Sequence, residues 1–210
     1  MEDHPLFRQG LVQMVRAEKA LTVCGQASAA DQALKDITRL MPDLALVDIS
    51  LPGKSGLDLI KELRAVNRKV KILVVSMHDE ALYAERVLRA GARGYITKHE
   101  TSREVMAAIR KVLGGQIYLG KRMASRVLES FASHPVAGKG VAQLTDRELE
   151  IFELIGRGRT TREISSCLHL GTSTIDTYRT RIKAKLNLEN ASQLSHEAIR
   201  WVSAGQKAPV

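Results

Sequence analysis

A chain of 210 residues and 23.2 kDa can bury one large core or two small ones, and its 32 Lys plus Arg against 23 Asp plus Glu give a formal charge of +9. That balance favours polyanionic partners, nucleic acid or an acidic membrane surface, while the lack of any run near the roughly 18 apolar residues that span a bilayer argues against membrane insertion. The two cysteines, Cys24 and Cys167, stand in unrelated contexts without a Cys/His cluster, so they are expected to be reduced packing residues in a cytoplasmic protein without a secretory signal.

The charge is uneven. Residues 1–120 hold 18 basic and 14 acidic side chains (+4) and residues 121–210 hold 14 and 9 (+5), so the shorter segment is the more basic per residue.

After Glu2, Asp3, His4 and Pro5, apolar residues at 6, 7, 11, 14 and 15 predict a helix. LTVCG (21–25) predicts a short strand, and Ser28 a cap for the helix bearing Ala33, Leu34, Ile37 and Leu40. LALVD (44–48) is an apolar run that ends in an acid and then breaks at Pro52, Gly53 and Gly56, the pattern of a buried parallel strand followed by a loop and a helix. VKILVVS (70–76) and GYITK (94–98) predict further strands, each followed by a helix, with Gly91 as the stop of the intervening one. Alternating strands and helices imply a doubly wound parallel α/β sheet, whose ligands gather at the carboxyl ends of the strands. Asp48, Ser76 and Lys98 all fall there. A carboxylate can attack phosphorus, a lysine can pair with a phosphoryl oxygen, and a serine can donate to another; Glu2 and Asp3 are the acids suitably placed to help hold Mg²⁺. Tyr95, out of phase with Lys98, is expected to point away from the pocket face.

Residues 2 to about 118, through EDHPLFRQG, LALVDISLPGKSGLDLI, VVSMHDE and GARGYITK, resemble a two-component receiver domain of flavodoxin-like fold. The resemblance implies Asp48 as phosphoacceptor, Glu2, Asp3, Asp48 and the Ser50 carbonyl as Mg²⁺ ligands, Ser76 and Tyr95 as switch residues, and Lys98 as the phosphate-contacting lysine. Receivers carry an apolar strand directly before the acidic pair, internal in the order 2-1-3-4-5, and here only Met1 precedes Glu2. Either the chain begins upstream of this Met1 or its sheet has re-paired.

Weak periodicity with Pro135, Gly138 and Gly140 predicts a linker over 119–142 with a short helix near 122–132, between a first domain (1–118) and a second (143–210). Thr145-Asp-Arg-Glu148 and Thr160-Thr-Arg-Glu163 have capping-box spacing, each opening a helix; Leu170 and Gly171 then turn into STIDTYRTRIKAKLNL. Two helices joined by a tight Gly-containing turn match a helix-turn-helix, and Arg179, Arg181, Lys183 and Lys185 load the second with charge. A solvated basic helix face is the plainer alternative. Residues 143 to about 203 resemble a LuxR-type DNA-binding domain, which implies that Thr174, Asp176, Thr177 and Thr180 face bases, that Arg162, Arg179, Arg181 and Lys185 lie near phosphates of double-stranded DNA, and that Ala198 and Ile199 form a homodimer surface. Together the halves resemble a NarL/FixJ-type response regulator, phosphorylated by a sensor histidine kinase. Two further readings are a receiver that serves only as a phosphorylation-independent scaffold, and an Asp-nucleophile phosphatase. Against the latter, Ser50 stands where such enzymes place a second acid. His4 suits either dephosphorylation or a turn.

Overall fold

The computed structural model describes residues 1–51, 54–78, 80–120, 124 and 140–206. The chain divides into two compact units, Met1–Glu129 and Ser130–Val210.

In the first unit three strands, β1 (Leu44–Val47), β2 (Lys71–Ser76) and β3 (Gly94–Thr97), form a parallel sheet in the order β1-β2-β3. Among the described residues, five helices accompany it: α1 (Pro5–Arg16), α2 (Ala30–Leu40), α3 (Gly56–Val66), α4 (Glu80–Ala90) and α5 (Ser102–Leu113). β2 and β3 are buried as their apolar runs predict, Ile72, Leu73 and Val74 being fully enclosed, whereas β1 is buried on one face only: Ala45 and Val47 are enclosed and Leu44 and Leu46 half-buried. Leu11 of α1 joins Leu73, Val75, Ile96 and the apolar face of α5 in one cluster, while α2, α3 and α4 pack side by side. Gly91 stops α4 with φ +108°, as its position after the apolar face predicts.

LTVCG (21–25) forms no strand. Its partner would be an internal strand, and what occupies that place is the main chain of Met1 and Glu2. The Met1 amine donates to Leu46 O (2.8 Å) and the Asp48 N–H donates to Met1 O (3.0 Å), which brackets Val47 as a parallel ladder does. On the other side the Glu2 N–H donates to Ala27 O (3.1 Å). Beyond this rung lies a trench of about 480 Å³ between the 20–27 segment and β1, lined by Leu11, Val23, Ile37, Leu44 and Leu46. An edge without hydrogen-bond partners cannot hold LTVCG as a strand. The same gap leaves Cys24 exposed rather than packed. Ser28 caps nothing: α2 has Ala29 at its N-cap, with no side-chain bond.

The second unit is helical: a 3₁₀ turn (Gly140–Gln143), then α6 (Asp146–Gly156), α7 (Thr161–Leu168), α8 (Thr172–Leu186) and α9 (Ala191–Gln206). Both capping boxes are present, Thr145 with Glu148 and Thr160 with Glu163. Ile151, Phe152, Ile164, Ile175, Ile182, Leu194 and Ala198 are fully buried, which places the predicted apolar faces in one core. Gly156 is required by close approach, since a Cβ there would lie 2.4 Å from Ala198 O of α9. Ala198 is therefore core, not surface; Ile199, 49% exposed, is the outward residue of the pair. Cys167 is also exposed, on the outer side of α7. The helix expected over 122–132 lies outside the described residues, Ala124 excepted. No helix among the described residues is long and apolar enough to cross a membrane.

Candidate functional site: a lysine-bridged carboxylate cluster

The acid of LALVD leaves β1 at its carboxyl end and is 3% exposed. The loop behind it is fixed by α3, whose first residue, Gly56, donates its N–H to Ile49 O (2.8 Å), and Ser55 caps the helix by accepting from Leu57 N–H (3.3 Å). Ligand oxygens of Glu2, Asp3 and Asp48 lie within 4.8 Å of one another. Lys98, just past β3, closes the group: its Nζ is 2.7 Å from Asp48 Oδ2 and 2.7 Å from Glu2 Oε2. Its N–H donates to Ser76 O (2.8 Å), so the ends of β2 and β3 hold the lysine in place.

Charge explains the grouping. Burial pushes the Glu2 carboxyl above its ordinary pKa, Lys98 opposing and Asp48 reinforcing the rise. Burial also disfavours the Lys98 ammonium, but the facing carboxylates of Asp48 and Glu2 outweigh it and hold the lysine above its usual value. Of the three acids, Glu2 and Asp48 share one lysine that reaches their carboxylates, while Arg8 is bound to the main-chain oxygens of Glu2 and Asp3. A set of hard oxygen donors suits a divalent cation with oxygen preference. Among the described residues, Asp48 Oδ1 accepts a long 3.3 Å bond from the Ser50 N–H and is the less committed oxygen.

Of the residues expected here, Glu2, Asp3, Asp48 and Lys98 converge, and Ser50 touches Asp48 through its main chain. Ser76 is fully buried, but its hydroxyl accepts from His78 N–H (3.3 Å). Tyr95 is fully buried as well, and its hydroxyl donates to His78 O (2.8 Å) on the loop after β2. It lies off the carboxylate cluster, as its phase predicts, yet is tied to the loop that follows Ser76. Sequence reasoning missed His78, whose Nε2 lies 2.8 Å from Ser50 Oγ, and Phe7, whose ring lies 4.8 Å from Lys98 Nζ. The spacing of His78, two past Ser76 at a strand end, was the available signal. His4 has the turn role: its Nδ1 accepts from Phe7 N–H (3.4 Å) and caps α1.

In the second unit, Thr174, Asp176, Thr177, Thr180, Arg162 and Arg181 are exposed and Arg179 is half-buried. The hydroxyls of Thr177 and Thr180 donate to Ser173 O and Asp176 O (3.0 Å each), the usual resting bonds of helical threonines. Arg181 lies over the ring of Tyr178, 5.8 Å from its centre. Lys185 does not stand free for phosphate: its Nζ is 2.6 Å from Glu148 Oε2 in the capping box of α6.

Both units have known counterparts. Residues 1–110 match the family described as response regulator receiver domain, and residues 142–198 match bacterial regulatory proteins, luxR family. The chain belongs to the response regulators of the receiver plus LuxR type. Response regulator UvrY of Escherichia coli (strain K12) is 34% identical over 200 residues, 95% of this chain and 92% of its own. Response regulator GacA of Pseudomonas viridiflava is 34% identical over 201 residues, 95% and 94% of the two chains. A LuxR-family response regulator from Aurantimonas sp. SI85-9A1 superposes with a TM-score of 0.58 at 27% identity, over 63% of this chain and 94% of that one. RcsB of Salmonella enterica serovar Typhimurium, solved bound to promoter rprA with phosphomimetic BeF3⁻, shares the fold with a TM-score of 0.61 at 22% identity, over 94% and 95%.

Proposed function

We propose that this chain is a cytoplasmic transcription regulator that binds double-stranded DNA as a homodimer and is controlled by phosphorylation of Asp48 by a sensor histidine kinase. The observation that carries this reading is the buried Asp48 carboxylate, with Lys98 2.7 Å from one oxygen and two further acids beside it. In the transfer, Asp48 Oδ1 forms a bond to phosphorus as the phosphorus–nitrogen bond of a phosphohistidine breaks, and the leaving imidazole takes up a proton. Lys98 holds Oδ2 and is positioned to pair with a phosphoryl oxygen; the Ser76 hydroxyl can donate to another. Glu2, Asp3, Asp48 and the Ser50 carbonyl would hold Mg²⁺, which when bound offsets the charge of two anions brought together.

The output is α8. Thr174, Asp176, Thr177 and Thr180 face bases, with Asp176 suited to a cytosine amino group, and Arg162, Arg179 and Arg181 engage phosphates. Ile199 on α9 is the dimer contact. Ser50 stands where a phosphatase of this kind places its second acid, which counts against that reading.

Mass spectrometry after incubation with acetyl phosphate and Mg²⁺, comparing the chain with Asp48→Asn, tests the reading. A phosphate adduct that depends on Asp48, and tightens DNA binding across a salt series, supports it. No adduct together with unchanged DNA binding favours the phosphorylation-independent dimer.

A further inference from the structure

His78 is only 7% exposed, and both its ring and its main chain are engaged. Its ring nitrogen Nε2 lies 2.8 Å from Ser50 Oγ, and its ring packs on Tyr83 of α4 with centres 4.6 Å apart. Its main-chain N–H donates to Ser76 Oγ (3.3 Å), and its carbonyl accepts the Tyr95 hydroxyl (2.8 Å). Ser50 in turn donates its N–H to Asp48 Oδ1 (3.3 Å). One bonded line therefore runs Asp48–Ser50–His78–Tyr95 inside the first unit.

We propose that His78 is a positioning residue that couples the Asp48 loop to Tyr95. A loop carbonyl turns easily unless its own side chain is anchored. Here Ser50 holds the imidazole edge and Tyr83 holds its face, so the carbonyl that receives the Tyr95 hydroxyl is fixed by contacts on the opposite side of the residue. A phosphoryl group on Asp48 brings three new acceptor oxygens within reach of the Ser50 N–H. Displacement of Ser50 then moves the imidazole, and the imidazole moves the carbonyl on which Tyr95 rests. Physical coupling of this kind needs contiguous contacts between the two sites, and these are present.

The inference rests on Asp48 being the phosphoacceptor, and the test separates the two. The full chain carries fluorotyrosine, the Tyr95 resonance being assigned with Tyr95→Phe, and is treated with acetyl phosphate and Mg²⁺ while mass spectrometry counts the Asp48 adduct. In the unaltered chain the Tyr95 resonance moves as adduct forms. With movement scaled to the adduct counted in each sample, it falls below half in His78→Ala and in Ser50→Ala, and the double variant loses no more than either single one. His78→Gln, whose amide can still reach Ser50, keeps most of it. Full movement in His78→Ala, or losses that add in the double variant, overturns the coupling. Absence of adduct in the unaltered chain is instead a failure of the Asp48 reading. The coupling is then judged at rest: Ser50→Ala shifts the Tyr95 resonance in the natural background and not in His78→Ala, and an equal shift in both overturns it.

Discussion

Lys98 Nζ lies 2.7 Å from Asp48 Oδ2 with both side chains almost wholly enclosed, 8% and 3% exposed. Since Glu2 faces the same ammonium, the lysine is the cation that lets two buried acids coexist. Removing one member of a buried ion group leaves an uncompensated charge, which costs about 3 kcal/mol or more. Lys98→Met is expected to lower first-unit stability by that order, and millimolar Mg²⁺ to return part of it. Because Asp48→Asn removes the charge that Lys98 offsets, the double variant Asp48→Asn, Lys98→Met should lose less than the sum of the singles in urea unfolding.

Gly56 places the acceptor loop by lacking a side chain. A Cβ there would stand 2.2 Å from Asp48 O and 2.6 Å from Ile49 Cα, both main-chain atoms that cannot swing aside. Gly56→Ala should therefore cost about 3 kcal/mol, as overpacking does, and slow Asp48 phosphorylation more than it weakens DNA binding. Gel-shift titration and adduct counting on the same samples would check both parts.

How far the sequence foretold this structure follows from where each element finds its partners. VKILVVS and GYIT are buried on both faces, as their composition predicts, but LALV alternates, with Leu44 and Leu46 only half-buried beside the trench, because what covers that face is set by another segment and not by the run itself. LTVCG has the same composition but depends on hydrogen bonds from another strand, which no local pattern reports. Cys24 was misread for the same reason. The ion pairs were hidden too: Lys185 meets Glu148 from 37 residues away, and nothing in the run RIKAKL distinguishes a lysine turned to a capping box from one turned to phosphate.

The trench beside β1 should be fillable. An extension of about five Val and Ile residues ahead of Met1 would continue the parallel rung that Met1 makes opposite Val47. Burying several such side chains gains about 1.5–3 kcal/mol each against roughly 1.5 kcal/mol of ordering per residue. A net gain of about 2 kcal/mol in first-unit stability is expected, with no gain from a Gly-Ser extension of equal length. The extension should also remove a pH dependence. Burial pushes the Met1 amine from 8.0 down to about 6. A depressed pKa contributes stability that is present above the unfolded value and is lost as pH falls through the folded one. Unfolding midpoints of the chain beginning at Met1 should thus decline from pH 8 to 6, and those of the extended chain should stay level across that window.

The cations of α8 should separate by what they touch. Arg181 is exposed, so Arg181→Ala should weaken DNA binding on all sequences and reduce the salt slope by about one. Lys185→Ala should leave the slope unchanged and lower second-unit stability by about 1–2 kcal/mol, because it strands a buried acid.

That acid carries its own signature. Burial opposes ionisation of Glu148, but the Lys185 ammonium and the Thr145 N–H and hydroxyl outweigh it, and its pKa is held below the ordinary carboxyl value. A depressed carboxyl pKa contributes stability that is present above the unfolded value, near 4.5, and is lost as pH falls through the folded one. The single tryptophan, Trp201 of α9, packs 5.7 Å from Phe152 of α6 and so reports on this unit by itself. Its fluorescence-monitored unfolding midpoint should fall on acidification from pH 6 to 3. In Glu148→Gln the starting midpoint is lower and the fall is shallower, because the group whose ionisation was rewarded by Lys185 is gone; an equally steep fall in that variant would assign the acid sensitivity to other carboxylates.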